Sequence, residues 1–246
     1  MYNYKLIIKY DGSGYNGWQK QGNTKNTIQG ALERAVKNVT GEEAEVVGSG
    51  RTDAGVHALA QVANFKLIRH VETLKLKEQL NRNLQDDICI LSVEEVDTRF
   101  HSRLNAKGKK YLYRIQNTVE SDVFCRNYKY HYDAYLDIEL MRKAAELLVG
   151  EHDFKSFCSN RHMKKSTVRT IYSIDITRDE YGEVRILYHG NGFLYNMVRI
   201  ITGTLIEVGR GVRDCDSIKD ILCACDRQSA GATAPACGLI LVEVEY

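Results

Sequence analysis

An α+β fold of two ferredoxin-like halves, each a β-α-β-β-α-β run, is what this sequence predicts. Three observations carry that expectation. Apolar segments alternate between period two and period 3.6 in the order strand, helix, strand, strand, helix, strand, and the order then repeats. The β-α-β-β-α-β order within each half calls for a mainly antiparallel sheet with helices packed on one side. The chain has 246 residues, 43% hydrophobic and 27% charged, enough for a real core in each half. The boundary is expected near 98–108, giving an N-terminal half 1–104 and a C-terminal half 105–246 with a cleft between them.

Each element has its own signal. Tyr2 to Tyr10 alternates and is rich in β-formers. Ile28, Leu32, Ala35, Val36 and Val39 share one helical face, with Asn26 or Thr27 as N-cap and Gly41 as stop. Glu43 to Val47 and Gln61 to Ile68 read as strands. Leu76, Leu80 and Leu84 recur every four residues, as a helix requires, and Ile88 to Val96 is the last strand of this half. In the second half, Lys110 to Gln116 alternates through Tyr111, Tyr113 and Ile115. Asp137 caps a helix carrying Leu140, Met141, Ala144, Ala145 and Leu148, which ends at Gly150. Arg169 to Thr177 and Val184 to His189 form a hairpin around Asp179 to Gly182. Phe193 to Val208 is helical, Ile218 to Cys223 is a short extra helix, and Leu239 to Val244 is the final strand.

Composition narrows the class. No run of about 18 apolar residues is present, so no membrane span is expected. The opening Met1-Tyr2-Asn3-Tyr4-Lys5 lacks a secretory signal, and seven cysteines fit reduced thiols in a cytoplasm. Cys215, Cys223, Cys225 and Cys237 do not have the spacing of two C-x-x-C knuckles, so no metal site is expected. The net charge is only +2, yet the cations cluster. Arg99, Arg103, Lys107, Lys109, Lys110 and Arg114 form one acid-free stretch; Lys155, Arg161, Lys164, Lys165 and Arg169 form another. Such stretches read either as solvated surface or as the footprint of a polyanion. Interleaved His101, Tyr111, Tyr113, Phe157 and His162 favour nucleic acid, because aromatic rings stack on bases. Lys107, Lys109, Lys110, Arg161, Lys164 and Lys165 are therefore the candidate RNA contacts.

One loop stands apart from this scaffold. Gly48-Ser49-Gly50-Arg51-Thr52-Asp53-Ala54-Gly55-Val56-His57-Ala58 joins two β-prone segments. Gly48, Gly50 and Gly55 give the backbone freedom that a tight connection needs. A turn alone has no use for an arginine, an aspartate and a histidine, whereas a catalytic loop on a rigid scaffold does. An ordinary polar hairpin is the other reading. A nucleotide-phosphate loop fits poorly, since no lysine follows the glycines and a strand rather than a helix lies downstream.

These eleven residues resemble the active-site signature of the TruA-type tRNA pseudouridine synthases. The resemblance extends along the chain in order. It includes Tyr10-Asp11-Gly12, Gly17-Trp18-Gln19 with Gln21, and Thr27-Ile28-Gln29 with Leu32-Glu33. It continues through Phe100-His101-Ser102-Arg103 and Lys110-Tyr111-Leu112-Tyr113. Gly150 with His152-Asp153-Phe154, then Thr167-Val168-Arg169-Thr170-Ile171, match next. Phe193-Leu194-Tyr195-Asn196-Met197-Val198-Arg199 and Ala234-Pro235 with Gly238-Leu239 close the series. Ala60 stands where glycine is more frequent, which touches nothing catalytic.

The resemblance implies an isomerase that turns uridine into pseudouridine in the anticodon stem-loop of tRNA, around positions 38 to 40. It implies Asp53 as the group acting on C1′, Tyr111 stacking on the uracil, and Arg199 as the cation that keeps Asp53 ionised. Arg51 would stabilise the extruded nucleotide and Leu239 would line the base pocket. No atom is added and no redox change occurs, so no cofactor is expected. A cytoplasmic homodimer gripping tRNA is implied as well. Two alternatives stay open: the same chemistry on another RNA such as ribosomal RNA, or a non-catalytic RNA-binding protein on this fold.

Overall fold

The computed structural model describes residues 1–22, 24–160 and 163–246. The fold is α+β, with mostly antiparallel strands and five α-helices among the described residues. The chain condenses into two compact units, Met1–Lys107 with Ile240–Tyr246, and Gly108–Leu239.

In the first unit, β1 (Tyr2–Tyr10) lies between β3 (His57–Leu67) and β4 (Ile88–Val96), antiparallel to both. The short β2 (Val47–Gly48) pairs antiparallel with Asn64 and Ala63 of β3. The order β4-β1-β3-β2 is that of a ferredoxin-like half. One addition comes from far along the sequence: Ile240 and Leu241 of β10 (Leu239–Glu245) run parallel to His57 and Ala58. Helices α1 (Ile28–Thr40) and α2 (Thr73–Asn83) pack against each other, and α2 also packs on β4. Tyr4, Leu6 and Ile8 from β1 and Ile28, Leu32 and Val36 from α1 are all buried in the core. Burial of each such aliphatic side chain contributes roughly 1.5–3 kcal/mol.

The caps follow the sequence. Thr27 Oγ1 accepts the Gly30 N–H at 3.2 Å. Gly41 ends α1 at φ 75°, and its N–H returns to Lys37 O at 2.9 Å. The segment read as a strand over Glu43 to Val47 pairs only at Val47 and Gly48. The reason is local: the Val46 N–H donates to Glu33 Oε1 at 3.1 Å, so a side chain of α1 replaces a strand neighbour.

The second unit holds β5 (Gly108–Gln116), β6 (Tyr130–His131), α3 (Ile138–Glu146), β7 (Gly150–Asp153), β8 (Val168–Arg178), β9 (Glu183–Gly190), α4 (Met197–Gly209) and α5 (Ser217–Ala224). Strands β5, β9, β8 and β7 are adjacent in that order and antiparallel throughout. Asp137 Oδ1 accepts the Leu140 N–H at 3.1 Å and caps α3 as its position predicts. Helix α4 starts four residues later than its apolar run, because Asn196 adopts a left-handed φ of 61°. It is apolar nearly all round and buried accordingly. Gly203 lets it pass against the main chain at Ala232, whose carbonyl oxygen a β-carbon would overlap.

Candidate active site

The Asp53 loop is held by main-chain contacts from residues 10–18. Trp18 N–H donates to Thr52 O at 3.0 Å, and Gly55 N–H to Tyr15 O at 3.3 Å. Val56 N–H closes the turn onto Asp53 O at 3.1 Å. Buried Tyr10 shares a 2.8 Å hydrogen bond with Thr52 Oγ1, and burial pushes its phenol well above the ordinary value. Tyr10 is thus a neutral structural post. Gly12 lies directly beneath the Val56 carbonyl, and Gly17, at φ 88°, lies against Thr52 O. Side chains at either position would force the two segments apart. Gln61 pins the other shoulder, accepting from Ser49 Oγ at 2.7 Å and donating to Gly50 O at 3.1 Å. Asp53 itself is half-buried. A carboxylate on a loop fixed at both shoulders is preorganised for attack or proton removal.

His57 is buried, and its Nδ1 accepts the Gly12 N–H at 3.1 Å, with Asp11 Oδ1 at the same distance. It ties the Tyr10–Gly12 segment to the start of β3, a structural duty.

Arg51 is exposed and anchored by a chain of side-chain amides. Its Nε donates to Gln19 Oε1 at 3.1 Å. Gln19 Nε2 donates to Gln29 Oε1 at 2.8 Å, which also accepts the Lys20 N–H at 3.0 Å. Gln29 Nε2 donates to Glu33 Oε1 at 3.0 Å. One backbone N–H, that of Lys20, therefore sets which way both amides face: Gln29 must offer its oxygen, so Gln19 must offer its nitrogen to Gln29 and its oxygen to Arg51. Sequence reasoning gave Gln19 and Gln29 no role. A buried glutamine beside the apolar stripe of α1 was the available signal.

In the second unit, Tyr111 projects from β5 and is 8% exposed. Its ring meets Phe193 edge-on at 5.3 Å. Tyr113, on the same strand, is fully buried; its hydroxyl donates to Pro235 O at 2.8 Å, and burial raises its pKa well above 10.0. Gly238 packs on the Tyr113 ring, so this tyrosine supports the chain on both sides of Cys237 and leads it to Leu239, which is buried. Arg199, in the first turn of α4, is half-buried. Its Nε donates to Ala234 O at 2.8 Å and its Nη1 to Asn196 Oδ1 at 3.1 Å. Ala234 N–H returns to Arg199 O at 3.1 Å. The left-handed Asn196 is thus the residue that orients the guanidinium, another role the sequence did not reveal.

Asp53 and Arg51 therefore share one loop of the first unit. Tyr111, Arg199 and Leu239 share the framework of the second. Lys107, Lys164 and Lys165 are exposed, while Lys109 and Lys110 are half-buried on β5. Arg161 lies outside the described residues, as does His162. Among the described residues no His, Cys, Asp and Glu side chains group to hold a metal ion, and no helix is long and apolar enough to cross a membrane.

Known proteins match this chain closely. The model of the tRNA pseudouridine synthase family matches residues 6–105 and 144–246. The chain is 48% identical over 250 residues to tRNA pseudouridine synthase A 2 of Bacillus cereus, covering all of both chains. It is 49% identical over 246 residues to tRNA pseudouridine synthase A of a Bacillus species, and 48% identical over 246 residues to that of Acetivibrio thermocellus, again over all of both chains. A chain in the crystal structure of a Cbf5-Nop10-Gar1 complex is a distant likeness. It has a TM-score of 0.40 and 13% identity over 97% of this chain, which spans 48% of that chain's length. The match over most of the sequence, and near-50% identity over its full length, settle the assignment: the chain belongs to the tRNA pseudouridine synthase family.

Proposed function

We propose that this protein isomerises uridine to pseudouridine in the anticodon stem-loop of tRNA, around positions 38 to 40, with Asp53 acting on C1′ of an extruded uridine. Family membership makes it an isomerase that forms pseudouridine. The observation that carries the residue assignment is Asp53 itself, a half-buried carboxylate on a loop clamped by Tyr10, Gly12, Tyr15 and Trp18.

The chemistry needs little else. The N1–C1′ bond breaks, the uracil turns, C5 bonds to C1′, and the C5 proton leaves to water while N1 gains one. Asp53 either forms an ester with C1′ or removes the neighbouring sugar proton, and it is returned unchanged on either route. Tyr111 stacks on the uracil and helps move the C5 proton. Arg199, fixed by Ala234 O and Asn196, supplies the positive field that keeps Asp53 ionised. Arg51 stabilises the extruded state, Leu239 lines the base pocket, and Lys107, Lys109, Lys110, Arg161, Lys164 and Lys165 contact the RNA backbone. In this reading the N-terminal half 1–104 carries the nucleophile and the half 105–246 completes the site. A cytoplasmic homodimer belongs to the same reading and rests on the family resemblance.

The test uses tRNA and ribosomal RNA transcripts with tritium at uracil C5. Tritium release from tRNA by wild type, and none by Asp53→Asn with tRNA binding retained, is the expected result. Full turnover in Asp53→Asn would overturn the role of Asp53. Release from ribosomal RNA alone would overturn the tRNA substrate.

A further inference from the structure

Arg169 differs from its basic neighbours in where its charge is held. It lies near the start of β8 and is only partly exposed, unlike Lys164 and Lys165. Both hydrogens of its Nη1 are committed to main-chain carbonyls, Ser166 O at 3.0 Å and Val168 O at 2.6 Å. These are neutral acceptors. No acidic residue occurs between Phe154 and Ile174. The nearest acid before that stretch, Asp153, accepts from Thr167 Oγ1 at 2.5 Å and from the Lys155 N–H at 3.0 Å. Among the described residues no carboxylate pairs with the guanidinium, and burial accordingly lowers its pKa. A partly desolvated cation without an anion is costly, and an incoming anion would offset that cost.

The geometry also says which edge is available. With Nη1 occupied, the remaining donors are Nε–H and Nη2, the side-on fork that matches two oxygens of one phosphate. Residue 192 flanks this edge. It is glycine, and a β-carbon there would stand 3.9 Å from Arg169 Nε and 4.0 Å from Cδ. Glycine keeps even a β-carbon off this edge. The loop bearing Gly192 is locked to β8 at the preceding residue, since Asn191 N–H donates to Thr170 O and Thr170 N–H to Asn191 Oδ1, both at 3.0 Å. Phe193 follows Gly192 and packs edge-on against Tyr111.

From this juxtaposition we propose that Arg169 is a phosphate site for the substrate RNA, its Nε/Nη2 fork gripping a phosphodiester that flanks the uridine received by Tyr111. The proposal rests on the reading of Tyr111 as the residue that stacks on the target base. It assigns to Arg169 a single bidentate contact, distinct from the diffuse attraction of the exposed lysines.

The experiment uses anticodon stem-loop RNAs with a neutral methylphosphonate on either side of the target uridine. Each is bound to wild type, Arg169→Gln and Arg169→Lys, with thermal melts run alongside. Wild type should lose about tenfold in affinity for one of the two neutral linkages. Arg169→Gln should bind the unmodified RNA about tenfold more weakly, show no further loss at that linkage, and have a salt slope smaller by about 1. Arg169→Lys keeps the charge but has no fork; it should lose the same coupling, and it carries the test if Arg169→Gln fails to fold. Independent, multiplicative losses at both linkages in the folded variants would overturn the proposal. Tritium release from the unmodified RNA by wild type is read in parallel. Its absence overturns the substrate reading and the proposal with it; its presence with uncoupled losses overturns the phosphate site alone.

Discussion

Gly12 and Val56 touch through their backbones: the space a β-carbon would need at residue 12 is filled by the Val56 carbonyl oxygen. Nothing flexible can yield there, because Val56 also closes the turn onto Asp53 O. Gly12→Ala should therefore separate residues 10–18 from the Asp53 loop. We expect a loss of about 1–3 kcal/mol in stability, from urea melts, and a fall in single-turnover tritium release of more than about tenfold. Wild-type release from a folded Gly12→Ala would show that the clamp is dispensable.

Gln19→Leu tests the amide chain. It removes the acceptor of Arg51 Nε while leaving Asp53 and the loop contacts untouched. Single-turnover release should slow by about tenfold, with tRNA affinity nearly unchanged. In an Arg51→Lys background, Gln19→Leu should cost little more. Equal losses in both backgrounds would mean that Gln19 acts on the fold and not through Arg51.

Glu183 sets an acid limit on stability. It is buried on β9 and accepts from Arg114 Nε at 2.8 Å, Lys129 Nζ at 2.6 Å and Arg185 Nε at 2.8 Å. Burial alone would raise its pKa, but these three cations outweigh it and hold the carboxyl well below its ordinary 4.5. A depressed native pKa stabilises fully above the unfolded value and is lost as pH falls through the native one. Wild type should thus weaken steadily below about pH 4.5 as Glu183 contributes less. Glu183→Gln should be about 2–4 kcal/mol less stable at pH 7 and lose part of that acid dependence. Melts from pH 3 to 7 decide it; parallel curves for the two proteins would exclude the role.

Tyr113→Phe removes only the hydroxyl that reaches Pro235 O. A cost of about 1 kcal/mol in stability and a modest loss of rate are expected. The alkaline limb of the pH–rate profile should not move, since the buried phenol does not ionise near neutrality. A shifted limb would give Tyr113 a part in proton transfer.

Much of this architecture is written in periodicity. The stripe from Ile28 to Val36, the Thr27 and Asp137 caps and the stop at Gly41 are local signals, and the structure repeats them. What was illegible depends on partners distant in sequence. The Glu43–Val47 segment looks β-prone, yet Glu33 takes the Val46 N–H. The polar Gly150–Asp153 has no strand pattern and pairs only because β8 is there to receive it. Phe193 to Tyr195 continue an apolar run that the backbone of Asn196 interrupts. The site shows the same division. Arg51 and Asp53 stand out within one loop, whereas Gln19 gains meaning only beside Gln29, and Arg169 only beside Gly192.

The pairing of Ile240 and Leu241 with His57 and Ala58 has a consequence for the birth of the enzyme. The first compact unit is discontinuous: residues 1–107 are translated early, but their sheet lacks a strand until Ile240–Tyr246 has also emerged. All of Gly108–Leu239 must be synthesised in between. At roughly 5–20 residues per second, the half-made protein carries the Asp53 loop for many seconds before β3 receives that neighbour. During that interval the nascent chain is tethered to a particle rich in RNA and surrounded by tRNA. The strand beside the Asp53 scaffold is therefore in place only after all of Gly108–Leu239 has been made.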